Sequence, residues 1–191
     1  MNTSSPKFIV GIGGSAGGLN AYKSFLDAVP LLTGMAFVIV SHILPTATSQ
    51  LAEILTKHTQ MPVLVATTAM HLQANHVYVC PPDADLYVVD GVFRVVTPRS
   101  KRNVQVDIFF TSLATAMRKR AIGIVFSGYD GDGAQGCRAI RANGGINFAQ
   151  DASAEVSGMP LSAQATGCVD FVLAPEVIAG RLHKLANTIV A

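Results

Sequence analysis

A serine, a histidine and a pair of aspartates each follow an apolar run in this sequence, at Ser15, at His42 and at Asp130 and Asp132. The runs that precede them cover residues 8–12, 35–40 and 121–126. Unbroken apolar runs of this length predict strands buried on both faces, as in a parallel sheet. Parallel strands end at one edge of a sheet, so we expect these side chains to converge there. Together they could form a nucleophilic site, in which an imidazole takes the hydroxyl proton and a carboxylate stabilises the imidazolium.

Each of these residues also has a simpler structural explanation. Ser15 precedes a helical pattern and could cap that helix. His42 could be no more than a polar residue that ends a strand. Asp130 and Asp132 alternate with glycines, which is typical of a turn. The catalytic interpretation therefore depends on all three residue types meeting at one edge.

Two binding motifs overlap the same residues. Gly11, Gly13 and Ala16 have the spacing of a dinucleotide-binding turn, but that site needs an acidic residue after the second strand, where this chain has Ser41 and His42. A calcium loop at 130–133 would lack its later ligands and its closing glutamate. The other histidines and the three cysteines show no metal-ligand spacing, so we expect neither a metal nor another cofactor. These residues are His58, His71, His76, His183, Cys80, Cys137 and Cys168.

The composition predicts one folded domain over residues 1–191. Half of the 191 residues are hydrophobic and 14% are charged, which excludes a disordered chain. The net charge of +2 is too small to indicate nucleic-acid binding. No apolar stretch reaches the length of about 18 residues that predicts a membrane span. The polar start has no signal-peptide core and the cysteine count is odd, so we expect a cytoplasmic protein with free thiols.

The order of the patterns predicts an α/β fold: a doubly wound, mostly parallel sheet with helices on both faces and an antiparallel hairpin at one edge. The hairpin joins 86–89 to 92–96 through Asp90-Gly91, which suits a type I′ turn. Asp107 is the expected cap of a helix over 107–120. Further strands are expected at 61–65, 76–80, 145–149 and 169–172. Further helices are expected at 21–29, 46–57, 134–143, 160–166 and from Pro175 onward.

Three segments of the chain resemble the catalytic domain of CheB, the chemotaxis protein-glutamate methylesterase. Residues 13–18, Gly-Gly-Ser-Ala-Gly-Gly, are similar to its nucleophile turn, usually Gly-Ala-Ser-Thr-Gly-Gly. Residues 40–42, with Pro45 soon after, resemble its Gln-His-Met-Pro segment, and residues 127–133 resemble its Thr-Gly-Met-Gly-x-Asp-Gly segment. Gly158-Met159-Pro160 and Val106-Asp107 recur in the same order. The likeness covers nearly the whole chain.

This resemblance implies a catalytic triad of Ser15 as nucleophile, His42 as general base and Asp132 as the carboxylate that orients it. The implied reaction is hydrolysis of glutamate γ-methyl esters on chemoreceptor-like proteins, and the family also deamidates glutamines. No cofactor is implied. The alternative is a catalytically idle relative that binds a receptor or another signalling partner.

The same resemblance places the oxyanion donors on the backbone at Tyr129, with the turn amides of Ala16 and Gly17 as further candidates. Tyr129 stands where the family usually has methionine, and Asp130 stands where it usually has glycine. One residue is inserted between His42 and Pro45, and residues 103–105 replace the family's Arg-Pro-Ser. These departures put the choice of substrate in question.

The family usually carries a phosphorylatable receiver domain ahead of the esterase, whereas about six residues precede the first predicted strand here. If the chain is the full protein, we expect an esterase that is constitutively open or controlled by a separate regulatory protein. The chain could equally be one domain of a longer protein.

Overall fold

Seven parallel strands form the central sheet of this protein in a computed structural model that describes residues 4–42 and 50–188. The described strands are β1 (Phe8–Gly14), β2 (Met35–Ser41), β3 (Val63–Val65), β4 (His76–Val79), β5 (Asp85–Val89), β6 (Val92–Val96), β7 (Ala121–Val125), β8 (Ile146–Gln150) and β9 (Phe171–Leu173). The sheet has the order β3-β4-β2-β1-β7-β8-β9. Its strands extend away from β1 in both directions, so the predicted doubly wound topology is confirmed. The direction reverses between β1 and β7, which is where ligands bind in such sheets.

Helices cover both faces of this sheet, which explains why β1 and β7 are buried along their whole length. The described helices are α1 (Gly18–Ala28), α2 (Leu51–Thr56), α3 (Gln105–Met117), α4 (Ala134–Ala142), α5 (Gly158–Ala165) and α6 (Pro175–Thr188). One core lies between the sheet and α1, α2 and α6, and it contains Tyr22, Phe25 and Phe37. The other lies under α3, α4, α5 and the hairpin, and it contains Phe109 and Phe110.

The hairpin of β5 and β6 is antiparallel, as expected, and has a type I′ turn. Asp90 and Gly91 have φ angles of 49° and 78°, and both central residues of that turn require positive φ. The hairpin forms a two-stranded sheet of its own instead of extending the edge of the central sheet. Phe93 packs edge-on against Tyr78, with ring centroids 5.0 Å apart, and this contact joins the hairpin to the core.

Close packing of α3 against β1 brings the start of that helix to the carboxyl edge of the sheet. A Cβ atom added at Gly13 would lie 2.4 Å from Cγ1 of Val106, so only glycine permits this approach. The predicted helix over 107–120 begins two residues earlier and ends at Met117, before a short 3-10 turn at Arg118–Arg120.

The other expected elements are present, with ends that differ by a few residues. Pro45 and residues 46–49 of the helix expected at 46–57 lie outside the described residues, and the described part of that helix is α2. No helix in the described part of the chain is long and apolar enough to span a membrane.

Candidate active site

The strands that precede Ser15, His42 and Asp132 end at the same edge of the sheet. Gly14 pairs with Ser41 in the parallel register of β1 and β2, so Ser15 and His42 are the next residues on neighbouring strands. Neighbouring strands lie about 4.8 Å apart. On the other side of β1, the N–H of Ser15 donates to the carbonyl oxygen of Ser127, 2.8 Å away, just after β7. The expected convergence is therefore present in the backbone.

His42 and Asp132 form a buried hydrogen-bonded pair. Nε2 of His42 lies 2.7 Å from Oδ2 of Asp132, and the two side chains are 7% and 0% exposed. An ionised carboxylate only accepts hydrogen bonds, so Nε2 carries the hydrogen and donates it. The neutral ring then has a free lone pair on Nδ1. A histidine held in this way can take a proton at Nδ1.

The Asp132 carboxylate is fixed by three backbone N–H groups in addition to the imidazole. Oδ1 accepts from the N–H of Asp107 at 2.8 Å and of Gly133 at 2.9 Å, and Oδ2 accepts from the N–H of Val106 at 2.9 Å. Val106 and Asp107 belong to the first turn of α3, whose N–H groups have no partner within the helix. The carboxylate therefore caps α3 and lies at the positive end of the helix dipole, which favours a negative charge.

The prediction that Asp107 caps α3 is wrong. Its carboxylate instead accepts from the N–H of Gly136 at 2.7 Å, in the first turn of α4. Burial raises the pKa of Asp107, and the nearby Asp132 carboxylate raises that pKa further, while the N–H of Gly136 lowers it. Each of these two aspartates thus caps a helix from another part of the chain.

Ser127 and Gln150, which the sequence did not single out as functional, connect the turn after β1 to the loops beside it. Oγ of Ser127 donates to the carbonyl oxygen of Ala16 at 2.7 Å and accepts from the N–H of Val156 at 2.9 Å. The N–H of Ser127 donates to Oε1 of Gln150 at 3.0 Å. The only signal for Ser127 was its place at the start of the 127–133 segment, and Gln150 had none.

This geometry is accompanied by a match over most of the chain: residues 10–182 fit the family model of the CheB methylesterase. The chain belongs to the CheB methylesterase family. A putative protein-glutamate methylesterase/protein-glutamine glutaminase of Leptospira interrogans is 33% identical over 178 residues, which cover 91% of this chain and 92% of the relative. The crystal structure of the Thermotoga maritima CheB methylesterase catalytic domain superposes with a TM-score of 0.84 at 26% identity, covering 93% of this chain and 98% of that one.

Other relatives are longer than this chain. A protein-glutamate methylesterase/protein-glutamine glutaminase of Burkholderia lata is 36% identical over 181 residues, which are 91% of this chain and 52% of the relative. An uncharacterised 104.1 kDa protein of Rhodobacter capsulatus is 39% identical over 131 residues, which are 67% of this chain and 14% of the relative. The chain thus spans about half the length of the Burkholderia lata relative and a small part of the Rhodobacter capsulatus protein.

Ser15 lies in the turn between β1 and α1 and is half-buried. Among residues 4–42 and 50–188, no hydrogen bond joins its hydroxyl to His42. Catalytic hydrogen bonds are often long without substrate and tighten when it binds. The backbone N–H groups of Ala16, Gly17 and Tyr129 are also unused by other described residues. They remain the expected oxyanion donors.

A second carboxylate, that of Asp130, lies at the other side of the histidine ring. Oδ2 of Asp130 is 3.5 Å from Nδ1 of His42, and its side chain is 28% exposed. His42 is therefore placed between two aspartates. Among the described residues, no group of three or more histidine, cysteine or acidic side chains has a metal-binding arrangement.

Proposed function

We propose that this chain hydrolyses glutamate γ-methyl esters on chemoreceptor-type proteins, with Ser15, His42 and Asp132 as its triad. The observation that carries the proposal is the buried His42–Asp132 pair at the strand end beside Ser15, in a member of the CheB methylesterase family. Curated relatives are named for both methylesterase and glutaminase activities. We therefore include deamidation of glutamine side chains in the proposal.

In the first half of the reaction, Oγ of Ser15 bonds to the carbonyl carbon of the ester as Nδ1 of His42 takes the hydroxyl proton. The carbonyl electron pair moves onto its oxygen and gives a tetrahedral oxyanion. Asp132 holds the ring through Nε2 and stabilises its positive charge. The oxyanion then collapses, the bond to the methoxy oxygen breaks, and Nδ1 returns its proton to that oxygen. Methanol leaves and a glutamyl-serine ester remains.

The second half of the reaction repeats these steps with water as the nucleophile. Nδ1 takes a proton from water as the water oxygen bonds to the acyl carbon, and then gives the proton to Oγ of Ser15 as the ester bond breaks. Glutamate is released and the serine hydroxyl is restored. With a glutamine substrate, ammonia leaves in place of methanol.

The charge on the tetrahedral oxygen requires hydrogen-bond donors that are already in place. We assign this role to the backbone N–H groups of Ala16, Gly17 and Tyr129. A donor aimed at a developing oxyanion contributes roughly 3–4 kcal/mol to catalysis. Gly17 has a φ of 73°, and an added Cβ would lie 2.6 Å from Oγ of Ser127, so the turn depends on glycine there. We also propose a cytoplasmic location, where thiols stay reduced, because all three cysteines are free.

The test is methanol release from a methylated chemoreceptor fragment. We expect release by the wild-type protein and a decrease in kcat of at least roughly 10³-fold for Ser15→Ala. Ser24→Ala is the matched control, because Ser24 is an exposed serine on α1. No methanol from the wild type, or wild-type rates from Ser15→Ala with an unchanged circular dichroism spectrum, would contradict the proposal. A wild-type protein that binds the fragment without releasing methanol would instead indicate an idle binding module.

A further inference from the structure

Asp130 lies against the nitrogen of His42 that Asp132 leaves free. Its Oδ2 is 3.5 Å from Nδ1, whereas Oδ2 of Asp132 is 2.7 Å from Nε2. Its Oδ1 accepts the backbone N–H of Asp132 at 3.0 Å, so the side chain is held in the loop by an Asx turn. The imidazole thus has a carboxylate at each nitrogen.

We propose that Asp130 is a positioning residue that stabilises the proton His42 takes from Ser15. This inference rests on the proposed esterase function, because it assigns the proton acceptor to Nδ1. A negative charge 3.5 Å from Nδ1 attracts a proton on that nitrogen, and the nearly buried ring reduces the screening of this attraction by solvent. Asp132 orients the ring through Nε2, whereas Asp130 acts on Nδ1, the nitrogen that takes part in proton transfer.

The other carboxylates around the ring are placed differently. Asp107 lies behind Asp132 and is bonded to the N–H of Gly136. Glu155 packs beside Gly17, and its Oε1 accepts from Nδ2 of Asn20 at 2.5 Å. Among the described carboxylates, those of Asp130 and Asp132 form ion pairs with His42. A change in charge at 130 is therefore the change that acts directly on Nδ1.

Two consequences follow, and they have opposite signs. A proton stabilised on Nδ1 must be lost before the ring can act as a base, so Asp130 limits activity at low pH. The same stabilisation favours proton transfer from Ser15 once the ring is neutral, so Asp130 raises the rate at high pH. Removing the Asp130 charge should therefore increase the activity at low pH, relative to the maximum of the same variant, and decrease the maximal rate reached at high pH.

Asp130→Asn is the appropriate variant, because its amide oxygen can still accept the N–H of Asp132 and preserve the turn. Asp151→Asn is the matched control. Asp151 follows β8 at the same edge of the sheet, and its Oδ1 accepts the N–H of Ser153, two residues on, at 3.0 Å in a similar turn. Its charge has no ion pair with His42 among the described residues.

The first measurement is kcat against pH for hydrolysis of p-nitrophenyl acetate, an uncharged ester that an acidic surface cannot repel. For Asp130→Asn we expect the acid limb to move to lower pH and the plateau to fall roughly threefold. Asp151→Asn should follow the wild-type profile. Coincident profiles for Asp130→Asn and the wild type, or equal shifts in both variants, would overturn the inference.

The second measurement needs no activity. The Cε1–H signal of His42, assigned by its absence from His42→Gln, is followed by NMR across the same pH range. Its midpoint should lie at lower pH in Asp130→Asn than in the wild type and in Asp151→Asn, because the variant lacks the negative charge beside Nδ1. An unchanged midpoint would refute the contact itself. If wild-type protein releases no methanol while the midpoint still moves, the esterase proposal fails and the Asp130 contact stands.

Discussion

Replacing Asp132 by asparagine should separate the catalytic role of this carboxylate from its role as a helix cap. In one orientation the amide oxygen takes the place of Oδ1 and still accepts from Asp107 and Gly133, and the amide nitrogen then faces Val106 and His42. In the other, the oxygen faces Val106 and His42, but two buried N–H groups lose their acceptor. The first orientation leaves only the N–H of Val106 without an acceptor, whereas the second leaves two N–H groups unpaired, so we expect the first.

The structural cost follows from that count. One buried N–H without an acceptor costs roughly 1–3 kcal/mol of unfolding free energy. The catalytic cost is larger. The amide nitrogen donates to Nε2 of His42, so the ring hydrogen moves to Nδ1 and the ring can no longer take a proton from Ser15. For this kind of tautomer change, kcat decreases by roughly 10⁴.

Urea denaturation and methanol release on the same preparations measure the two effects. Asp132→Ala is the companion variant. It removes the acceptor of all three N–H groups, so it should destabilise the protein by up to about three times as much as asparagine does. An asparagine variant with wild-type kcat would refute the tautomer argument, and an alanine variant as stable as the wild type would refute the capping argument.

Two further predictions concern packing and thiol chemistry. Gly13→Ala should lower the unfolding free energy by roughly 1–3 kcal/mol, because the added Cβ would lie 2.4 Å from Cγ1 of Val106. Adding Val106→Ala to the Gly13→Ala chain should recover part of this loss in urea denaturation. No recovery would contradict the packing argument. Burial raises the pKa of both Cys80 and Cys137 to about 12, with nearby carboxylates adding to the increase. At pH 8 a thiol reagent should therefore label Cys168 alone in the folded protein. In guanidinium, which unfolds the protein, it should label three thiols per chain. Rapid labelling of two or three thiols before unfolding would be inconsistent with this burial.

The position of the site could be predicted from the sequence because it depends on strand ends. Strands β1 and β2, which precede Ser15 and His42, end at Gly14 and Ser41, and these two residues pair in the sheet. The type I′ turn at Asp90 and Gly91 is equally local, because the dipeptide determines its own backbone conformation. These features need only short-range patterns and the rule that parallel strands end at one edge.

The contacts that hold the site depend on residues far apart in the chain, and they could not be predicted. The sequence rule for a helix cap searches the residues next to the helix, and so it selected Asp107 for α3. The carboxylate that fills this role, Asp132, is 25 residues away, and Asp107 caps α4 instead. Ser127 and Gln150 are ordinary polar residues at strand ends, and only the packed structure shows that they hold the turn containing Ser15.

Because one carboxylate both closes the start of α3 and holds the histidine, natural selection for folding alone would keep an aspartate at position 132. A descendant that no longer turned over any ester would still be penalised for losing it. When homologous genomes are surveyed for working enzymes, an intact aspartate is therefore weak evidence of turnover. Ser15 and His42, which α3 does not need as a cap, are the positions where decay of the enzyme would be expected to appear first.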